Sequence, residues 1–376
     1  MIQSISSRLD YPCLRTISYL NQASLGLMGE PAVTAMHHFL DETARHGNLK
    51  MSDAEEAVFL QPLRSRFAQL IGSEKNNVAI VASASEILSQ LPALLSPTEE
   101  SKIILVATDF PAITRPWIAY CQANPCRICF VEEEPDQSLT DQIIQNLDAQ
   151  TVAVCISFVQ FASGRRLNIS RLRAASQAVG AKLVVDVTQA AGAVPVSVQE
   201  WDADVVVCSG YKWLGGHGGI AFARFSDALL EKQPPFIGWF GGDDPFNMDA
   251  KQLLLSKTAA RYTQATLSYI SVVGLNAALD ELLKTSVERI HNHSSQLAEV
   301  LLTGLTNLEW EAFIEADADE FSPHIITLQT ARHNVQSNLQ KLEKNGVICG
   351  NRNGRIRVSL AHYNNEDDVQ SLLKVL

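Results

Sequence analysis

KLVVDVTQAAGAVPVSVQEWDADVVVCSGYKWLGG, residues 182–216, holds two apolar runs that each lead to a residue suited to chemistry. The first, KLVVD, closes on Asp186; the second, DVVVCSG, runs into Tyr211, Lys212 and a pair of glycines. Runs that are apolar at nearly every position read as strands covered on both faces, as in a parallel sheet. A carboxylate at the end of such a run is costly to bury without a cation or donor, so Asp186 either caps the next turn or meets a cationic ligand. A lone lysine after a strand is ordinarily solvated. Lys212, however, lies 26 residues beyond Asp186 at the end of the next run. On a parallel sheet both side chains then reach one strand-end crevice, where open α/β sheets collect ligands.

The same signature recurs between about residues 75 and 225 as NVAIVA, KIILVAT, CRICFVE, TVAVCISFV and GIAFARF, with intervals long enough for crossover helices. The expected class is α/β: a segment over 1–20, then a large three-layer domain over 21–260 built on a mostly parallel sheet. Residues 232–266, rich in Pro, Gly and aromatics (KQPPFIGWFGGDDPFNMD), read as an ordered excursion before a long helix near 267–304. HIITLQT, GVICG, RIRVSL and a final helix from about Glu366 then imply a smaller α+β domain over 261–376.

The chain has 376 residues, of which 46% are hydrophobic, enough for a sizeable core. Its net charge of −11, with no basic block longer than Arg165-Arg166, argues against nucleic acid or an anionic membrane as partner and leaves small molecules. The seven cysteines, an odd number and several within apolar runs, read as buried thiols of a cytoplasmic protein. Cys121, Cys126 and Cys129 lack the second pair that a zinc site needs, so no metal is expected. MIQSISSRLDYP has no long apolar stretch of the kind a signal peptide carries, and no run reaches the about 18–20 residues that span a bilayer.

After NVAIVA comes Ser83-Ala84-Ser85-Glu86, an S-x-x-E box in which Ser83 caps a helix and leaves first-turn N–H groups for a phosphate. Gln189, one turn after Asp186, faces the same cleft. This is the constellation that pyridoxal 5'-phosphate requires: an amine of lowered pKa for its aldehyde, a carboxylate for its pyridine nitrogen, and hydroxyls and a helix start for its phosphate. Ser85, Ser209 and Tyr211 provide the hydroxyls.

These motifs resemble the class V aminotransferase superfamily of the fold-type I pyridoxal-phosphate enzymes over nearly the whole chain. YLNQASLG (19–26) resembles the family's substrate-side N-terminal segment, VASASE (81–86) its phosphate turn, and TDFPAITRPW (108–117) the segment that lays a ring over the cofactor. VDVTQAAGAVPV and DVVVCSGYKWLGG resemble its Asp-x-x-Gln and lysine motifs, and GRIRVSLAHYNNEDDV (354–369) its C-terminal signature. The resemblance implies Lys212 as the Schiff-base lysine and proton shuttle, Asp186 at the pyridinium nitrogen, Gln189 near the phenolic oxygen and Phe110 over the ring. It implies phosphate contacts from Ala84 (backbone), Ser85, Ser209, Tyr211 and, across a homodimer interface, Thr266. Arg357 would hold the substrate carboxylate, with Ser24 on the substrate side.

Departures from the family pattern bear on the outcome. Where cysteine desulfurases carry histidines, this chain has Phe110 and Tyr211, and Cys349 lies only eight residues before Arg357, in a short strand connection. Cys349 is therefore read as a structural thiol. SLG (24–26), DFP (109–111) and GWFGG (238–242) resemble the kynureninase and isopenicillin-N-epimerase branches. The expected activity is a class V aminotransferase acting on an amino acid through an external aldimine. A kynureninase-like C–C hydrolase, a cysteine or selenocysteine lyase, an epimerase and a non-catalytic binding protein are the alternatives. Arg45, Arg115 and Arg352, the candidate second cations for a dicarboxylic substrate, are read as surface or structural residues.

Overall fold

The structure, a computed structural model, describes residues 1–47, 51–134, 136–306, 308–315 and 319–376. All seven apolar runs are strands of one sheet: β2 (Val78–Val81), β3 (Lys102–Val106), β4 (Arg127–Val131), β5 (Thr151–Ser157), β6 (Lys182–Asp186), β7 (Val205–Ser209) and β8 (Ala221–Phe225), in the order β2-β8-β7-β6-β5-β3-β4. Five of them pair in parallel, and β8 alone runs against its neighbours β2 and β7. Successive side chains of a strand point to opposite faces. Ile104, Val154, Val185 and Val206 accordingly enter one core with Leu63, Phe67, Leu172 and Leu275, whereas Ile103, Ala153, Val184 and Val205 enter another with Leu88, Leu91 and Trp117. The two cores sandwich the sheet and make three layers.

A second, antiparallel sheet has the order β12-β13-β10-β9, formed by β9 (Glu311–Ala312), β10 (Ile325–Gln329), β12 (Gly350–Arg352) and β13 (Arg355–Ser359). Helices Val287–Leu305, Val335–Lys344 and Glu366–Val375 pack on it through Leu297, Leu301, Leu342, Val369 and Leu372. The short β1 (Ser18–Tyr19) pairs in parallel with β11 (Val347–Ile348) as a separate two-stranded sheet, and Asn21 bridges Ser359 of β13, so the N-terminal segment is sewn to the C-terminal part of the chain.

The long helix expected over 267–304 is two helices, Tyr269–Thr285 and Val287–Leu305. Ser286 breaks the run with φ of 68°, ending the first and capping the second by accepting from Arg289 N. Along the two helices the core that is served changes: Val272, Leu275, Leu279, Val287 and Ile290 pack with the large sheet, and Leu297 and Leu301 with the small one.

The cysteines also depart from the thiol reading. Cys121, at the end of helix Pro111–Ala123, and Cys126, just before β4, have Cα atoms 5.3 Å apart and are joined in a disulfide. Among the described residues no cluster of His, Cys, Asp and Glu is arranged to hold a metal, and no helix is long and apolar enough to cross a membrane.

Candidate active site

The carboxyl ends of the parallel strands define the site. The chain leaves β3 toward the sheet edge at β4 and leaves β5 in the other direction toward β6, so the loops after β3 and β5 diverge and open a crevice. One cavity there is lined by Ser83, Ala84 and Ser85 after β2, Phe110 after β3, Ser157 and Phe161 at the end of β5, Asp186, Thr188 and Gln189 at the end of β6, and Ser209, Tyr211 and Lys212 after β7. Eight of the residues expected at a cofactor site are thus brought together: Ala84, Ser85, Phe110, Asp186, Gln189, Ser209, Tyr211 and Lys212.

Lys212 is buried, and burial lowers its pKa to about 8. Asp186 opposes that shift, while the positive charges of Arg357 and Arg352 add to it. Asp186 is itself buried, and desolvation raises its pKa against the hydrogen bonds of Thr188 and the charge of Lys212. Its Oδ1 accepts from Thr188 N at 2.7 Å. Thr188 Oγ1 in turn accepts from Ser209 N at 3.0 Å, so one threonine ties the ends of β6 and β7 together. The Lys212 ammonium stands 5.3 Å from the centroid of the Phe110 ring and 5.7 Å from that of Tyr211.

Phe110 is held by Asp109, a buried carboxylate that accepts from Phe110 N (2.6 Å), Ser157 N (2.7 Å) and Ser157 Oγ (2.7 Å). Burial pushes the Asp109 pKa up to about 6 in spite of these donors. Ser83 caps helix Ala84–Leu88 as its S-x-x-E box implies, accepting from Glu86 N; the Glu86 carboxylate reaches one residue further back, to Ala82 N at 2.9 Å. The N–H groups of Ala84 and Ser85 belong to a first helical turn, which leaves them without intrahelical partners.

The amide of Gln189 is engaged at both ends, donating to Ala23 O (3.0 Å) and accepting from Trp213 Nε1 (2.9 Å). Its main-chain carbonyl meets Nε2 of the buried His324 at 2.6 Å. The segment over 21–27 clamps the lysine turn: Gln22 Nε2 donates to Lys212 O (2.9 Å) and Gly26 N to Tyr211 O (3.0 Å). Gln22 Oε1 accepts from Tyr363 Oη and Leu27 N.

Arg357 is fully buried beside the cavity, donating to Phe161 O (2.6 Å) and Ser24 Oγ (2.6 Å). Desolvation and the neighbouring Arg352 lower its pKa to about 9. Thr266 is exposed and does not line this chain's own cavity. Cys349 is half-buried between β11 and β12, and burial pushes its thiol up to about 12. Arg45 pairs on the surface with Asp41, and Arg115 is exposed. Arg352 is half-buried, its Nη1 donates to Asn351 O at 2.6 Å, and its Nη2 reaches the same Ser24 Oγ at 3.0 Å.

Ser157, Thr188, Phe161 and Asp109 belong to the site but escaped the reading of the sequence. Ser157 had a signal, since it closes the apolar run TVAVCIS as Asp186 closes KLVVD.

The donor set suits pyridoxal phosphate. A buried carboxylate without a fixed cation stands at one end, hydroxyls and a helix start at the other, an aromatic face lies between, and an amine of depressed pKa is within reach.

A family model described as Aminotransferase class-V matches residues 18–372. An uncharacterized aminotransferase, YcbU, of Bacillus subtilis (strain 168) is 26% identical over 363 residues, 96% of this chain and 94% of that protein. A kynureninase of Yarrowia lipolytica is 28% identical over 357 residues, covering 84% of this chain and 80% of the relative. Among solved structures, the cysteine desulfurase CsdA of Escherichia coli superposes with a TM-score of 0.85 at 20% identity, covering 98% of this chain and 96% of that one. The cystine C–S lyase C-DES in complex with cysteine persulfide does so with a TM-score of 0.86 at 18% identity, covering 97% and 98%. At those identities the likeness is one of fold.

Proposed function

The chain belongs to the class-V aminotransferase family, and on that premise we propose that it is a pyridoxal-phosphate-dependent enzyme acting on an amino acid, with transamination as its outcome. Bound in the cavity, the cofactor supplies an electron sink for the bond broken at the substrate Cα.

The observation that carries the reading is the presence of Lys212 and Asp186 in the lining of one cavity. An amine with a pKa of about 8 keeps an appreciable neutral fraction near neutral pH, as a nucleophile toward an aldehyde and then a base toward the Cα proton must. Asp186, whose buried carboxylate seeks a positive partner, holds a proton at the ring nitrogen. Phe110, fixed by Asp109, covers the ring face. Ala84 N–H and the hydroxyls of Ser85, Ser209 and Tyr211 take the phosphate, and Gln189 has one amide hydrogen left for the phenolic oxygen. Arg357 offers its planar fork to the α-carboxylate, with Ser24 beside it.

Thr266 serves the site of a second copy in a cytoplasmic homodimer. Support comes from its exposure and from the exposed Phe236, Trp239, Leu253 and Leu254 in the excursion that precedes it. The second reading, a kynureninase-like C–C hydrolase, is favoured by the 28% identity to a kynureninase. The desulfurase reading is disfavoured by Cys349, whose thiol is fixed between paired strands and held protonated.

The test has two parts. Borohydride reduction of the cofactor-loaded protein followed by peptide mass mapping should place the trapped adduct on Lys212, and an adduct on any other lysine refutes the site. An amino-acid screen with and without pyruvate or 2-oxoglutarate, read by product mass, then separates outcomes. A keto-acid requirement supports transamination, and a shortened carbon skeleton without one supports the hydrolase.

A further inference from the structure

We propose that Arg352 is a specificity-determining residue that receives a second carboxylate, so that the substrate is an amino acid whose side chain ends in a carboxylate. The inference rests on the amino-acid reading above and narrows it to a substrate class.

The hairpin of β12 and β13 sets the geometry. Its register places Gly350 opposite Arg357 and Arg352 opposite Arg355, so Arg352 and Arg357 project from the same face of the ribbon. Gly350 leaves the space between them open. A Cβ there would lie 2.8 Å from Asn21 Oδ1 and 3.4 Å from Arg357 Nε. Both guanidiniums converge on one hydroxyl: Ser24 Oγ accepts from Arg357 Nη2 at 2.6 Å and from Arg352 Nη2 at 3.0 Å, and donates its own proton to Asn21 Oδ1 at 2.7 Å.

Each guanidinium also donates to a main-chain carbonyl, Arg357 Nη1 to Phe161 O and Arg352 Nη1 to Asn351 O, both at 2.6 Å, so the two cations rest on neutral oxygens only. Among the described residues neither Arg352 nor Arg357 has a carboxylate within ion-pair distance, whereas Arg8, Arg66, Arg165 and Arg173 each meet one or two. Arg357 Nε is buried with no acceptor among the described residues. Both positive charges act against protonation of Lys212.

A single carboxylate saturates one guanidinium fork. Arg357, fully buried, takes the α-carboxylate next to the bond that reacts; Arg352, half-buried, stands further out and is left for an anion carried by the side chain. Ser24 holds the two forks in place until substrate arrives.

The test compares wild type, R352Q and R352K, each loaded with cofactor, by titrating the cofactor absorbance with L-aspartate, L-asparagine, L-glutamate, L-glutamine and L-alanine. Wild type should favour the dicarboxylic member of each acid–amide pair, and R352Q should reduce that preference by about 10- to 100-fold. R352K, which keeps charge without the fork, should restore part of it. An acid-to-amide ratio unchanged in R352Q, whether all affinities fall together or none does, overturns the proposal.

Calorimetry with succinate and butyrate on the same proteins needs no turnover and should show a succinate preference that R352Q abolishes; equal binding of the two by wild type also overturns it. If no amino acid perturbs the absorbance while succinate is still preferred, the amino-acid reading falls and takes the substrate class with it. If amino acids perturb it with no preference for an anionic side chain, that reading stands and this inference alone fails.

Discussion

Replacing Gly26 by alanine would set a methyl carbon 2.1 Å from the Lys212 carbonyl oxygen and 2.9 Å from both the Lys212 carbonyl carbon and Gln22 Nε2. Non-bonded carbon and oxygen need about 3.3–3.5 Å, so the N-terminal segment and the lysine turn must separate by roughly 1 Å. Neither has slack, because Gly26 N donates to Tyr211 O, Gln22 Nε2 donates to Lys212 O, and Gln22 is pinned from behind by Tyr363. Parting them breaks those bonds or tilts the lysine away from Asp186. A displacement of this size at a reacting group costs on the order of 10²-fold in rate, and the forced contact about 1–3 kcal/mol in stability. The measurement is the rate at which cofactor-free protein captures pyridoxal phosphate, followed by absorbance and borohydride trapping, beside chemical denaturation. Gly218→Ala is the control, since a Cβ at Gly218 meets nothing within 4 Å. Wild-type capture and stability in Gly26→Ala would refute the clamp.

Three further outcomes follow from the site. Capture of the cofactor by Lys212 should accelerate as pH rises through about 8, because only the neutral amine attacks; Asp186→Asn, which removes a charge that raises the lysine's pKa, should move the midpoint down, and a midpoint near 10 in wild type contradicts the burial argument. Arg357→Lys keeps the charge and loses the fork, so KM should rise about 10-fold or more for every amino-acid substrate while the cofactor absorbance is retained; an unchanged KM removes Arg357 from substrate binding. Cys349→Ala should leave turnover within about 2-fold, and wild-type Cys349 should resist alkylation at pH 8, its thiol being held near 12; sulfide release from cysteine that vanishes in the variant would restore the desulfurase reading.

Much of the fold was legible because strands apolar at every position leave an unambiguous trace, and all seven runs became the seven strands of the large sheet. The direction of β8 was less visible, since GIAFARF is apolar whichever way it runs. The cue lay in the connection: the interval over 210–220 is short for a crossover helix and full of glycine, which suits an antiparallel return. The break at Ser286 was hidden because apolar spacing continues through it, from Leu279 and Leu282 to Val287 and Ile290 of the same core. At the site, the residues that end strands could be read, whereas those acting through the backbone could not. Thr188 earns its place through its own N–H and Ser209 N, and Gln22 through the Lys212 carbonyl. Arg352 was read as a surface or structural residue because its convergence with Arg357 depends on Ser24, 328 residues earlier in the chain.

The stitching of the N-terminal segment to late parts of the chain fixes an order of events during synthesis. Gln22 waits for Tyr363, 341 residues downstream, and Ser24 for Arg357, 333 residues downstream. At a ribosomal rate of about 5–20 residues per second, that is roughly 15 to 70 seconds during which the large sheet can form while its lysine turn lacks its clamp. The emerging chain thus carries the amine before it carries the means to hold it still.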